Sequence, residues 1–459
     1  MTAARRDSGI DAIRAIAIAG VVLGHWLVTA LVVGDDGALH VQSPLAALPA
    51  MQPISWLLQT LGLFFLAGGY AAAASAAKRR ADRAAVRRPG DNGALAGAGH
   101  HRAGLRAALV DRRSPAGRLG RAGAGRSHAE SSWRRFRVPR RLSALAGPVA
   151  ALLGLLSLAL TAGALAGVPE ETLRTVGKLV VSPLWFLLPF LVLTALVTPI
   201  ARLVRRCGPL PLAAVATGVV LAADLGFGFL PTTLVAAWAV PFVLGVALAQ
   251  GRLAGRATGW ALLAGGAVTI VVLVLAAGYP ASAVGVPGAG RSNLDPPSLA
   301  AVALAVAQAG AAILLLPWLR RLGTRRAVRA LNGGALHVYL WHQATMISVT
   351  VAIAWVAGRR PGLLATPDGY GWAAARLAWL PLFAAALVLV VRIAGLAPAP
   401  GRRARPNRTV GDQPSRLCHV DVGQGIESRL VRVPGRRLEV IAVRDSDPPS
   451  RSRAAVRSR

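Results

Sequence analysis

Apolar positions along this chain neither alternate strictly nor form a single helical stripe. They come in blocks of about 20, the length that crosses a hydrocarbon core of roughly 30 Å. Ten such blocks are read, at about 10–33, 54–77, 142–166, 179–203, 210–229, 233–250, 257–278, 298–318, 333–356 and 372–397. Open backbone cannot sit in lipid, and the alternation of a transmembrane barrel is missing. The pattern therefore predicts an all-α, polytopic membrane helix bundle.

The polar positions between blocks carry the orientation. Lys and Arg gather in alternate loops, and such loops stay cytoplasmic. Arg5 and Arg6 precede the first block, and residues 78–141 are dense in Arg. Arg202, Arg205 and Arg206, then Arg252 and Arg256, then Arg320, Arg321, Arg325, Arg326 and Arg329 follow on the same side. The opposite loops hold only Arg174 and Lys178, then Arg291, then Arg359 and Arg360, while loop 34–53 has Asp35 and Asp36 without Lys or Arg. Both termini are expected in the cytoplasm. The first block has the outline of a secretory leader, but its length, its internal Arg14 and His25, and the want of a small-x-small site argue against cleavage.

Composition changes the picture in two places. Of 459 residues 54% are hydrophobic and only 15% charged, which excludes an ordinary soluble domain. The net charge of +33 would suggest nucleic acid in a soluble protein. Here the excess lies mostly in residues 78–141 and 401–459, so no nucleic-acid partner is inferred and membrane lipids are the expected neighbours. Residues 80–135 are Arg, Ala and Gly without a sustained period. They cannot bury a core and are expected to be disordered, or to be the text of a shifted reading frame in a high-GC gene. The tail from Gly401 reads the same way, apart from "RLVRVPGRRLEVIAV", which suits a short strand pair.

The expected organisation is thus two membrane helices in 1–77, an Arg-rich cytoplasmic loop in 78–141, eight more helices in 142–397 and a basic cytoplasmic tail in 398–459. Cys207 and Cys418 have neither disulfide nor zinc spacing. No span holds His-x-x-x-His or paired carboxylates, so no metal and no bound cofactor are expected. The Arg, Ala and Gly bias points to a bacterial multi-pass protein of the plasma membrane.

The chemistry begins in "RDSGIDAIRAIAIAGVVLGHW", residues 6–26. Arg14 and His25 are 11 positions apart, three helical turns plus about 20°, so they share one face roughly 16 Å apart. Asp11 lies on that face three positions before Arg14, placed to pair with it. Ionisable groups at such depth face a bundle interior or a water-filled cavity. His342, in "VYLWHQ", is a second histidine at mid-span, with Tyr339 and Gln343 beside it. The plainer readings are a snorkelling Arg14 and packing histidines. Asp224, near the end of a span, is expected to face external water. Arg291, Asn293 and Asp295, in "GRSNLDPPS", are expected in an outer loop within reach of an external substrate.

Several segments resemble the acyltransferase-3 family of integral membrane acyltransferases. Arg14 and His25 match its Arg, ten residues, His opening. "LGLFFLAGGYA" (61–71) resembles a Phe-Phe-x-x-Ser-Gly-Tyr motif, with Phe64, Phe65, Gly69 and Tyr70 in place and Gly68 where the family has serine. "RRLSALAGPVAALLGLL" (140–156), "SPLWFLLPFLVLTAL" (182–196) and "LNGGALHVYLWHQATM" (331–346) resemble later family helices. The resemblance implies transfer of an acyl group, often acetyl, from acyl-CoA as co-substrate to a hydroxyl of a glycan, glycolipid or metabolite. On that reading His25 is the general base, Arg14 binds CoA phosphates or the thioester end, and Asp11 orients Arg14. His342 and Tyr339 support them, and Phe65, Tyr70 and Trp185 are candidate substrate contacts. Two rival readings are a proton-linked secondary transporter, against which no inverted repeat is evident, and the inactive product of a damaged gene.

Overall fold

The computed structural model describes residues 7–86 and 140–396, with side chains for 7–82 and 145–395. Most of the Arg-rich segment, its proposed frame disturbance and the tail with its suggested strand pair lie outside the described residues. The described part is 78% helical, an all-α bundle with a single hairpin.

In chain order, α1 is Ser8–Val28. A hairpin of β1, Ala30–Val33, and β2, Leu39–Gln42, follows, antiparallel with Leu31 opposite Val41. Short helices α2, Pro44–Ala47, and α3, Ser55–Leu58, lead into α4, Leu61–Val86. Then come α5, Arg140–Leu165, α6, Glu170–Val181, α7, Leu187–Ala195, α8, Val197–Cys207, and α9, Leu210–Ala222. The rest is α10, Leu230–Ala249, α11, Arg256–Ala276, α12, Leu299–Leu314, α13, Leu316–Gly323, α14, Arg326–Gly333, α15, Ala335–Ala357, and α16, Tyr370–Leu396.

Among the described residues nine helical segments are long and apolar enough to cross a membrane. The eighth expected block, 298–318, is not one straight span: α12 and α13 meet at a 76° bend. Its cause is local, since Pro317 follows at the start of α13 and cannot donate the backbone hydrogen bond that would continue α12. The first block also ends earlier than expected. The chain leaves the helix at Thr29 and residues 30–33 pair as β1, where β-branched Val32 and Val33 suit an extended chain.

Burial sorts the spans. Of the most apolar windows of α1, α4 and α10, 56%, 56% and 61% is buried, against 6% in α5 and α9 and 11% in α11 and α16. The first three form the interior and the others face lipid, where an apolar side chain gains nothing by hiding. Because lipid supplies no hydrophobic drive between helices, close backbone approach decides which ones pack. Gly69 of α4 and Gly245 of α10 show this directly. A side chain on Gly69 would run into the carbonyl of Phe242, and one on Gly245 into the backbone of Leu66 and Tyr70.

The short basic helices gather at the start of α1. Arg320 of α13 bonds Asp7 at 3.1 Å, Ser8 Oγ donates to the Arg320 carbonyl at 2.9 Å, and Asn332 of α14 donates to the Asp11 carbonyl at 2.7 Å. At the other end of α1 the hairpin is tied down by Leu39 N, which donates to Thr172 Oγ1 of α6 at 2.9 Å.

Replacing Gly245 by Val forces α4 and α10 apart. The expected cost is about 1–3 kcal/mol, read as a lower thermal midpoint of the purified protein in detergent. An unchanged midpoint would show that the close crossing does not support the bundle.

Candidate active site

Two imidazoles meet inside the bundle. α1 carries His25 in its last turn and α15 carries His342, and their ring centroids stand 5.1 Å apart with planes tilted by 45°. His342 is fully buried. Its Nδ1 lies 2.7 Å from the Tyr339 carbonyl. A carbonyl only accepts, so Nδ1 carries the hydrogen and Nε2 offers a lone pair. That Nε2 is buried and has no hydrogen-bond partner among the described residues. An unpaired polar atom in such a place is costly and calls for a ligand or a water.

Gln343 connects the two helices. Its amide nitrogen donates to His25 Nδ1 at 3.3 Å, while its own Oε1 is buried and unpartnered. The two ends of an amide are interchangeable by a half-turn. Either end occupies Nδ1, which leaves Nε2 as the nitrogen of His25 available to another group. Tyr339 is differently engaged. Its hydroxyl donates to the Pro183 carbonyl at 2.6 Å, and its ring lies 4.3 Å from Phe186 and 5.8 Å from His342. It therefore anchors α15 to the turn ahead of α7.

The residue that fixes the end of α1 was missed in the sequence. Arg376 of α16 is 1% exposed and donates to the carbonyls of Trp26 at 2.6 Å, Thr29 at 2.8 Å and Gly362 at 2.8 Å. It also touches Met346 Sδ at 3.0 Å and lies 4.9 Å from the Phe383 ring. The last carbonyls of a helix lack partners and carry partial negative charge, so a guanidinium there satisfies both needs. Trp26 adds a further tie, its indole nitrogen donating to the His342 carbonyl at 3.1 Å. The signal in the sequence was the one that drew attention to Arg14, a lone cation inside an apolar span.

Arg14 and Asp11 lie on the half-buried face of α1 with His25. Helical rise keeps Arg14 roughly 16 Å from His25, so the two hold opposite ends of one face. The aromatic candidates separate. Phe65 is fully buried and stacks on Trp238 with centroids 5.1 Å apart, enclosed also by Phe64, Phe186 and Phe190. Trp185 is half-buried beside Trp238 at 6.3 Å. Tyr70 is half-buried within electrostatic reach of Asp7 and Arg320, far from the imidazoles in helical register. Gly68 has a physical counterpart in Phe190: a Cβ there would stand 2.9 Å from Cε2 of that ring, so a serine would need the ring to move.

The expectations for Asp224 and Asn293 need correction. Asp224 does not face open water. Its side chain is 9% exposed, accepts from the Tyr279 hydroxyl at 2.6 Å and caps α12 by accepting from Leu299 N at 2.8 Å. Arg291 lies 4.0 Å from Asp224 and 4.6 Å over the Tyr279 ring. Asn293 is fully buried, donating to the carbonyls of Pro280 and Ser282 and accepting from Ser298. A side chain with all its polar atoms satisfied inside the loop is not placed to grip a substrate. What these residues do is pin the loop between α11 and α12.

A bundle of apolar helices, with two histidines close together in its interior, defines a multi-pass membrane protein. The chain belongs to the acyltransferase-3 family: the family's model, an acyltransferase domain, matches residues 131–396, more than half of the chain. It is therefore an acyltransferase. No curated protein and no solved structure matches it. The matched residues include Trp185, Tyr339 and His342, whereas α1 and α4, with Arg14, His25, Phe65 and Tyr70, precede them.

Arg376→Met leaves three carbonyls without their donor. The expected loss is at least the roughly 1.5–3 kcal/mol of one charge-assisted bond, measured as a shift in the thermal or denaturant midpoint. An unshifted midpoint would deny the guanidinium its anchoring part. In the outer loop, burial first and the Asp224 hydrogen bond second push the Tyr279 phenol up to about 12. The fold thus favours the protonated phenol, and the stability this contributes is complete below the ordinary value near 10 and lost as pH rises through about 12. Ultraviolet difference titration against Tyr279→Phe should place one tyrosine there, and Asp224→Asn should move it down.

Proposed function

We propose that this chain transfers an acyl group, acetyl in the simplest case, from cytoplasmic acyl-CoA to a hydroxyl of a glycan, glycolipid or small metabolite. The observation that carries this reading is the facing of His25 and His342 inside the bundle. The hydroxyl oxygen attacks the thioester carbonyl, the C–S bond breaks, and the hydroxyl proton passes to His25. The imidazolium then returns it to the departing thiolate, so the products are an ester and CoA thiol.

With the Gln343 oxygen turned to the ring, Nδ1 of His25 carries hydrogen and Nε2 is the free base. Imidazole suits this work because it titrates near neutrality. Acyl-CoA carries its phosphates and its thioester at opposite ends of a long arm. Arg14 and His25 are separated along α1 in the same sense, with Arg14 toward the side bearing the basic loops. Arg14 would hold the phosphates by charge-assisted hydrogen bonds, and Asp11 would orient it. Tyr339 supports His342, and Tyr70 and Trp185 remain contacts to be tested on either flank. By the Lys/Arg bias both termini lie in the cytoplasm, and the membrane is the plasma membrane of a bacterium.

Transfer from labelled acetyl-CoA in membranes tests the reading. His25→Ala is expected to lower the rate by about 10²–10⁴, the usual worth of a positioned base. Arg14→Ala is expected to raise the KM for acetyl-CoA more than it lowers kcat. Retained transfer in the His25 variant would remove it as the base.

A further inference from the structure

The pairing of the two histidines carries more than one proton transfer requires. One imidazole is enough to deprotonate a hydroxyl. The second is held in a fixed form: His342 Nδ1 is committed to the Tyr339 carbonyl, so Nε2 can only accept. It is fully buried and unpartnered among the described residues, on a ring 5.1 Å from His25. A buried lone pair of this kind asks for a donor, which excludes a phosphate, a carboxylate or a carbonyl group as its occupant. A hydroxyl satisfies it.

One turn further along α15, Thr345 Oγ1 is also buried without a partner. It lies 60° around the helix from His342 by the 100° step, on the same side. Thr345 Oγ1 thus adds a further unfilled polar atom on that side of α15.

We propose that the site reads a vicinal diol: the reacting hydroxyl lies at His25, and its neighbour on the adjacent carbon donates to His342 Nε2. This rests on the acyl-transfer reading and adds which acceptors that reaction takes. The spacing agrees. Adjacent hydroxyl oxygens of a diol stand about as far apart as a hydrogen-bonded pair, roughly 2.8 Å, and each imidazole reaches its oxygen over a similar distance. Rings whose centroids stand 5.1 Å apart are compatible with one such bond to each oxygen. A simple alcohol fills only half of the arrangement and leaves His342 Nε2 as unpaired as before. A site with a buried polar group strongly rejects an analogue that leaves the group unpaired. His342 is in this sense a specificity-determining residue.

The test uses the full chain in lipid nanodiscs with acetyl-CoA and two acceptors of one ring, trans-1,2-cyclohexanediol and cyclohexanol. The wild type is expected to favour the diol at least tenfold in kcat/KM. His342→Phe keeps a ring but no acceptor, and should lower kcat/KM for the diol at least tenfold more than for cyclohexanol. His342→Gln restores an acceptor oxygen and should recover part of the preference. Equal use of the two acceptors by the wild type, or equal losses in His342→Phe, would overturn the proposal. Binding is read separately, by saturation-transfer NMR of the diol on the wild type. Absence of that signal also overturns the diol site, whatever the variants do. A diol signal that His342→Phe abolishes, without acetyl transfer to either alcohol, upholds the diol site and overturns the acetyl-CoA reading instead.

Discussion

The guanidinium of Arg376 sets the constraint on which the centre depends. It comes from α16 and ends on the carbonyls of Trp26 and Thr29, the residue after His25 and the cap of α1. A cation buried this deeply is tolerable only when its donors are satisfied. Here the unpaired carbonyls of a helix end satisfy them, and each side removes the cost of the other. The hairpin that follows α1 and the loop at Gly362 are tied to the same group. His25 therefore stands at a fixed helix end, and its distance from His342 is set by Trp26, which is bonded to both Arg376 and the His342 backbone.

Around that point the bundle divides its labour. α4 and α10 meet through glycines, with backbone against backbone, and give a rigid wall. α1 and α15 meet through Trp26, Gln343 and the imidazoles, where side chains leave polar atoms unfilled. The aromatic cluster of Phe64, Phe65, Phe186, Phe190 and Trp238 is joined to the centre by Tyr339, whose ring lies against Phe186 and His342.

Much of this was legible in the sequence because membrane helices announce themselves by length and polarity alone. The blocks around α10, α11, α15 and α16 agree with the helices to within a few residues, and His25 was visible as an imidazole where lipid would reject one. His342 was visible on the same ground, but its nearness to His25 was not, since the two are more than 300 positions apart. Arg376 carried the same signal and was passed over, because nothing local shows that its partners are carbonyls. The bend at Pro317 and the inward turn of Asp224 were misread for a related reason. Hydropathy averages over a window and cannot see a single missing backbone donor or a single distant tyrosine.

The reach of Arg376 also bears on how the protein is made. Membrane helices insert one after another as the chain is synthesised, so α1 enters the bilayer long before α16 exists. Until α16 arrives, the final turn of α1 keeps its bare carbonyls and His25 has no fixed height. An early helix is thus finished by a late one. A chain interrupted before α16 would hold both histidines without the guanidinium that fixes the end of α1 beside them.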